Sequence, residues 1–214
     1  MTPSRAEHAD PPSPSYWDAV YGRGDPSELS WHQREPAISL ELVDALGVGP
    51  RDAVVDVGGW LSPLAGRLLD RGFTDLTVLD VAETAVAAAR ARLGAEARRV
   101  VWVREDIRSW RPARRFEVWH DRALFHFFVE ADDRLRYLET LRHALAPAVA
   151  VVIATFALDG PETCSGLPVA RYDAAGLASV IGPGFELVRE TREEHVTPAG
   201  RVQPFTWVAL RARP

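Results

Sequence analysis

Three short segments of the chain end in carboxylates that could read the same small molecule. VVDVGG (54–59) sets Asp56 before the pair Gly58-Gly59, LTVLD (76–80) ends in Asp80, and VREDI (103–107) carries Glu105, Asp106 and Ile107. An acid about 20 residues beyond a glycine-rich turn suits ribose, because a carboxylate accepts two hydroxyl donors side by side. Asp80 stands 24 positions after Asp56. Each acid alone reads equally well as a helix N-cap. Three at successive strand ends share one sheet edge and point to a nucleoside-type ligand. A fourth segment, FEVWHD (116–121), ends in His120 and Asp121 and runs on through Arg122, Phe125 and His126. These side chains could move a proton or orient an anion. The plainer reading of each histidine is a hydrogen-bonded packing group, and of Arg122 a partner for Asp121.

Such residues can meet only if strands carry them to one edge. AVVDV (53–57), LTVLDV (76–81), VVWVRED (100–106), FEVWHD (116–121) and VAVVIATF (149–156) are short, β-branched and not alternating, as strands buried on both faces are. Helices are expected between them. Glu35 to Leu46 has Pro36 in its first turn and Gly47 after its end. A helix capped by Ser62 with Pro63 first runs to Arg71, and further helices span 83–94, 132–145 and 172–181. The βαβ alternation predicts a doubly wound, mostly parallel sheet with helices on both faces. Two strands around Pro198-Ala199-Gly200 predict an antiparallel C-terminal hairpin. Ahead of the first strand, residues 1–15 are Pro/Ser-rich and expected to be disordered, and a short aromatic helix follows from Tyr16 to Gly22.

Composition narrows the function. At 214 residues the chain suits one domain with a sizeable core. A formal charge of -5 argues against nucleic acid, whose binders carry a basic excess. No apolar run reaches the roughly 18 residues that span a bilayer, and the N-terminus lacks the apolar stretch of a secretory signal. A single cysteine fits a reducing cytoplasm and argues against a Cys-based zinc site, so no metal centre is expected. A dinucleotide would want glycines where Trp60 and Pro63 stand, which argues against NAD or FAD.

DVGGxxS after the first strand, LTVLD, REDI and the VWHDRALFHFF run resemble the class I S-adenosylmethionine-dependent methyltransferases. The opening YWDAVYGRGDPSELSWHQREP and the late ATFALDGPETCSGLPVARYD resemble a bacterial, type 12-like small-molecule subgroup of them. The resemblance implies a Rossmann-like seven-stranded sheet over 16–214, with residues 16–48 as a helical lid. It implies S-adenosylmethionine as cofactor, S-adenosylhomocysteine as product, and methyl transfer to a small-molecule acceptor by a monomer or homodimer. Asp56, Gly58, Gly59 and Trp60 would line the methionine part, Asp80 would hold the ribose, and Val81 and Ile107 would flank the adenine. Asp106 would accept from the adenine amino group, and Trp31 and Gln33 would belong to the lid. His120, Asp121 and His126 are the catalytic candidates, His120 also facing the methionine end. Arg122, Phe125, Cys164 and Tyr172 are the acceptor candidates.

Two departures from the family pattern bear on activity. Its glycine loop, D-x-G-x-G-x-G, here has Trp60 and Ser62 at the last two glycine positions. An indole at 60 either fills the methionine pocket or turns away from it. Ala148 and Val149 replace a glycine turn before the fifth strand and would be strained if that turn needs positive φ. The alternative reading is a relative with lost or altered cofactor binding, acting as a binding or scaffold protein or as a non-methylating enzyme.

Overall fold

The computed structural model describes residues 13–22, 24–59 and 61–213. Five parallel strands make up most of one seven-stranded sheet: β1 (Val54–Val57), β2 (Leu76–Asp80), β3 (Val100–Arg104), β4 (Phe116–Arg122) and β5 (Leu145–Phe156). A small hairpin follows, β6 (Thr163–Cys164) and β7 (Leu167–Pro168). The long pair β8 (Phe185–Val196) and β9 (Val202–Ala212) then completes the sheet. The order is β3-β2-β1-β4-β5-β9-β8, with β9 antiparallel to β5 and β8 antiparallel to β9. The Rossmann-like sheet and its C-terminal hairpin are those the sequence predicts.

The first two strands are buried throughout, so alternate residues feed two cores. Val54, Leu76, Val78, Val118 and Val152 join α2 (Ala37–Ala45) and α3 (Leu64–Asp70) on one face. Val55, Leu79, Trp119, Val151 and Ile153 join α5 (Ala131–Ala144) and α6 (Ala174–Ile181) on the other. This double coverage forces the strand tips, rather than the faces, to carry the ligand.

The N-terminal helix α1 (Pro14–Tyr21) starts ahead of the expected Tyr16, with the Ser13 hydroxyl capping it. Of the 1–15 tail expected to be disordered, residues 1–12 lie outside the described residues, whereas Ser13 caps α1 and Pro14 and Ser15 belong to it. Asp18 ties α1 to α4 (Glu83–Leu93) by accepting from the amide and hydroxyl of Thr84, both at 2.9 Å. It thereby caps α4, whose own N-cap residue, Ala82, has no side chain able to do so.

The segment before β5 differs from expectation. Helix α5 ends at Ala144 and β5 begins at Leu145, so the chain passes from helix directly to strand. Ala148 and Val149 fall within β5, and Val149 is not among the positive-φ residues. A register shift between Phe116 and Val118 absorbs the extra length. Val149 therefore makes no left-handed turn and carries none of the anticipated strain. Among the described residues no helix is long and apolar enough to cross a membrane.

Candidate active site

The carboxyl tips of β1 to β4 open on a cavity of about 110 Å³ walled by Asp80, Val81, Asp106, Ile107, Arg122 and the rings of Trp17, Tyr21, Trp31 and Phe127. A smaller one of about 40 Å³ is bounded by Asp56, Gly58, Gly59, Gln33 and Arg122. Tyr21, Trp31, Gly58 and Arg122 line both, so the two compartments are continuous in their walls.

Asp56 is almost fully buried, and its two oxygens have different fates. Oδ1 accepts from His120 Nδ1 at 2.7 Å, and His120 Nε2 pairs with the Ser39 hydroxyl at 2.9 Å. Oδ2 is buried without a partner among the described residues. Gly59 is what admits this carboxylate: a Cβ built there would lie 2.2 Å from Oδ2. Gly58 adopts φ 69°, a conformation only glycine takes cheaply, and turns the chain away from β1. Position 60 lies outside the described residues, and with it the question of where the Trp60 indole goes.

Asp80 presents a similar asymmetry. Its Oδ1 accepts from the amides of Val81 at 2.7 Å and Ala82 at 3.1 Å, while Oδ2 has no hydrogen bond among the described residues. Burial raises its carboxyl to about 7, against the two amides that favour the ionised form. Asp106 differs, because Arg108 covers it. The Arg108 amide and Nε reach Oδ1, both at 2.9 Å, and Nη1 reaches Asp133 at 3.2 Å. Burial pushes Asp106 up, but the Arg108 hydrogen bonds outweigh it and hold the carboxyl below its ordinary value.

The three catalytic candidates stand behind this wall, and the lining of neither cavity includes them. His120 lies beneath Asp56. Asp121 accepts from the Leu124 amide at 2.9 Å and the Tyr137 hydroxyl at 2.6 Å, which fastens the turn after β4. Burial raises its carboxyl to about 6. His126 is packed between Phe127 and Phe156, with both ring nitrogens unpartnered among the described residues. Burial lowers its imidazole to about 3, so it is neutral at physiological pH.

Of the acceptor candidates, Arg122 and Cys164 reach the larger cavity. Phe125 and Tyr172 stack on each other at 5.9 Å in the α5–α6 layer and do not. Burial pushes the Cys164 thiol up to about 11, so it is a neutral wall group. Trp31 lines both cavities and Gln33 the smaller one. Sequence reasoning misses Trp17 and Tyr21, four apart on α1 and so on one helix face, and Phe127 against which Trp17 packs edge-on at 5.0 Å. It also misses the backbone at Ala123 and Ser165, which hold φ 69° and 52° beside the cavity. No residue type advertises such conformations.

Residues 54–148 match a family model described as a methyltransferase domain. No curated protein sequence matches the chain. One similar solved structure comes from work on converting a disulfide bond into a thioacetal group during echinomycin biosynthesis. It is 23% identical with a TM-score of 0.72 and covers 94% of this chain and 93% of that one. The 1,6-didemethyltoxoflavin-N1-methyltransferase of Burkholderia thailandensis is 21% identical with a TM-score of 0.67, over 84% and 78%. The N-methyltransferase NodS of Bradyrhizobium japonicum, solved with S-adenosylhomocysteine, is 15% identical with a TM-score of 0.66, over 94% and 98%. The fold is that of the class I S-adenosylmethionine-dependent methyltransferases. The match to the methyltransferase-domain model spans β1 into β5, the part of the fold that carries the strand-tip acids.

Proposed function

We propose that the protein transfers a methyl group from S-adenosylmethionine to a small-molecule acceptor and releases S-adenosylhomocysteine. One observation carries this reading: at neighbouring strand tips Asp56 keeps a buried Oδ2 without a partner, and Asp80, on the larger cavity, keeps an Oδ2 without a hydrogen bond, among the described residues. A buried acceptor left open, as at Asp56, is costly unless a ligand meets it. The donor set fits the cofactor. Asp80 Oδ2 takes the ribose hydroxyls, and Asp56 Oδ2, bared by Gly59, takes the ammonium of the methionine end. Val81 and Ile107 flank the adenine, and Asp106 keeps lone pairs for its amino group. Trp31 and Gln33 close over the site.

S-Adenosylmethionine, when bound, supplies a methyl already activated on a sulfonium, so the reaction asks little acid–base chemistry of the chain. The protein excludes water and aligns the acceptor. His120 acts as a positioning residue: by holding Oδ1 of Asp56 it aims Oδ2 past Gly59. Asp121 fixes the turn that carries Arg122 and Phe127 into the wall. His126, neutral and unpartnered, is a packing group. The enclosed cavity under an aromatic lid supports a small acceptor, and the toxoflavin-precursor enzyme above is a precedent.

Calorimetric titration of S-adenosylhomocysteine and S-adenosylmethionine into the wild type tests the reading. Micromolar binding is expected. Absence of binding would sink it, and its recovery in Trp60→Gly would establish the cofactor-blind relative instead.

A further inference from the structure

We infer that Arg122 recognises a carboxylate on the acceptor, so that the substrate class is a small aromatic or apolar acid. The inference rests on the methyl-transfer reading and adds the chemistry of the acceptor to it. Arg122 closes β4 and walls both cavities. One of its nitrogens is engaged: Nη1 donates to the Trp31 carbonyl at 3.0 Å. Nε and Nη2 are buried without a hydrogen bond among the described residues. These two form one edge of the guanidinium, the edge that meets a carboxylate with two parallel N–H bonds.

The nearby carboxylate does not use that edge. Glu193 lies 3.8 Å from Nη2, outside hydrogen-bond range. Its own oxygens accept from Gln33 Nε2 and Trp207 Nε1, each at 2.8 Å. Glu193 therefore balances the charge of Arg122 and leaves its donors open. Arg108, the other guanidinium on the larger cavity, is already taken by Asp106 and Asp133.

Position separates this cation from the cofactor's acids. Asp106, Asp80 and Asp56 stand at the tips of β3, β2 and β1. Arg122 stands at the next strand and leans further away, its guanidinium 4.8 Å over the Phe205 ring of β9. Methyl transfer is in line, so the acceptor lies on the far side of the methyl from the departing sulfur. Arg122 shares the larger cavity with the rings of Trp17, Tyr21 and Phe127 and the neutral thiol of Cys164, a wall suited to an apolar acceptor with one anionic group.

The test is binding of phenylacetate and its neutral counterpart phenylacetamide to the full chain loaded with S-adenosylhomocysteine, by ligand-observed NMR or calorimetry. The wild type is expected to prefer the acid by roughly tenfold or more. Arg122→Met should abolish the preference while leaving the amide's affinity unchanged, which a merely structural role would not do. Arg122→Lys should keep part of it, and it stands in should the methionine variant fail to melt cooperatively. Equal affinity of the wild type for acid and amide overturns the inference. A second arm compares S-adenosylhomocysteine with 5′-methylthioadenosine, which lacks the amino-acid end. If Arg122→Met weakens only the former, the guanidinium serves the cofactor's own carboxylate and the inference falls. If the wild type fails to take S-adenosylhomocysteine at all, the methyl-transfer reading falls instead. The acid–amide comparison on the unloaded protein then decides the role of Arg122 by itself.

Discussion

The two walls of the cavity are built on opposite principles. Toward β1, β2 and β3 the lining consists of carboxylates at the ends of buried strands, and Asp56 and Asp80 are each fixed by one oxygen and open at the other. Toward the lid it consists of aromatic rings on the short helix α1 and a turn after β4, with a hairpin tip at Ser165. The first wall is rigid and polar, as a site must be that reads an invariant ligand by hydrogen bonds. The second is adaptable and apolar, and its directional groups are few. The comparison teaches which wall should break binding when altered and which should only retune it.

The largest effect is expected on the rigid wall, at Gly59. A methyl group there would lie 2.2 Å from Asp56 Oδ2 and 2.3 Å from its Cγ. The carboxylate must move and with it the contact to His120. Gly59→Ala should cost about 1–3 kcal/mol of stability, the usual penalty of overpacking, and should weaken S-adenosylhomocysteine binding by at least tenfold. A melting curve and a titration on the same sample read both. Retention of full affinity would show that Asp56 does not meet the ligand.

Asp80→Asn comes next and separates ligand binding from stability. Asparagine keeps the oxygen that caps Val81 and Ala82 but loses the ionised acceptor, so affinity at pH 8 should drop roughly 10- to 100-fold. Stability should move the other way. The native carboxyl titrates near 7 against 3.8 when unfolded, so between those values the folded chain holds a proton that the unfolded chain has lost. Stability of the wild type therefore declines as pH rises through that window and levels off above it. The variant should lack this slope and melt higher than the wild type at pH 8. Wild-type affinity for S-adenosylhomocysteine should in turn fall by up to about tenfold per pH unit below about 7, as the carboxylate is neutralised. A pH-independent affinity would remove Asp80 from the ribose site.

The same division explains what is legible in the sequence. Strand tips announce themselves, because buried strands read as β-branched runs and whatever follows them must lie on the edge. Pattern alone therefore sets Asp56, Asp80 and Asp106 at that edge, where they are found, and the sheet and its hairpin are equally plain. The partners of those acids are not legible. That Arg108 covers Asp106, or that His120 points down to Ser39 rather than out to the acceptor, depends on side-chain direction at a strand end, where one residue of register exchanges inside for outside. His126 and Phe125 fail to reach the cavity because the turn pinned by Asp121 brings Leu124, Phe127 and Phe128 to its wall and leaves those two inside. The helix-to-strand junction at Leu145 escapes the sequence too, since the family pattern implies a turn where this chain makes none.

The smallest expected effect lies on the adaptable wall, at the hairpin tip. Cys164 and Leu167 are paired, so Ser165-Gly166 is a two-residue loop, and both residues have positive φ, 52° and 79°. That is the geometry of a type I′ turn, which favours Asn-Gly over Ser-Gly. The Ser165 carbonyl accepts from the Tyr16 hydroxyl, so the turn is also where the hairpin is tied to α1. Ser165→Asn leaves that carbonyl in place and relieves the serine, and should stabilise the fold by a few tenths of a kcal/mol, about 1 °C in Tm. Affinity for S-adenosylhomocysteine should not change, since the tip stands apart from the strand-end acids. If the substitution instead weakened the cofactor while leaving Tm alone, the hairpin would belong to the rigid wall, and the division between the two sides of the cavity would have to be redrawn through Cys164.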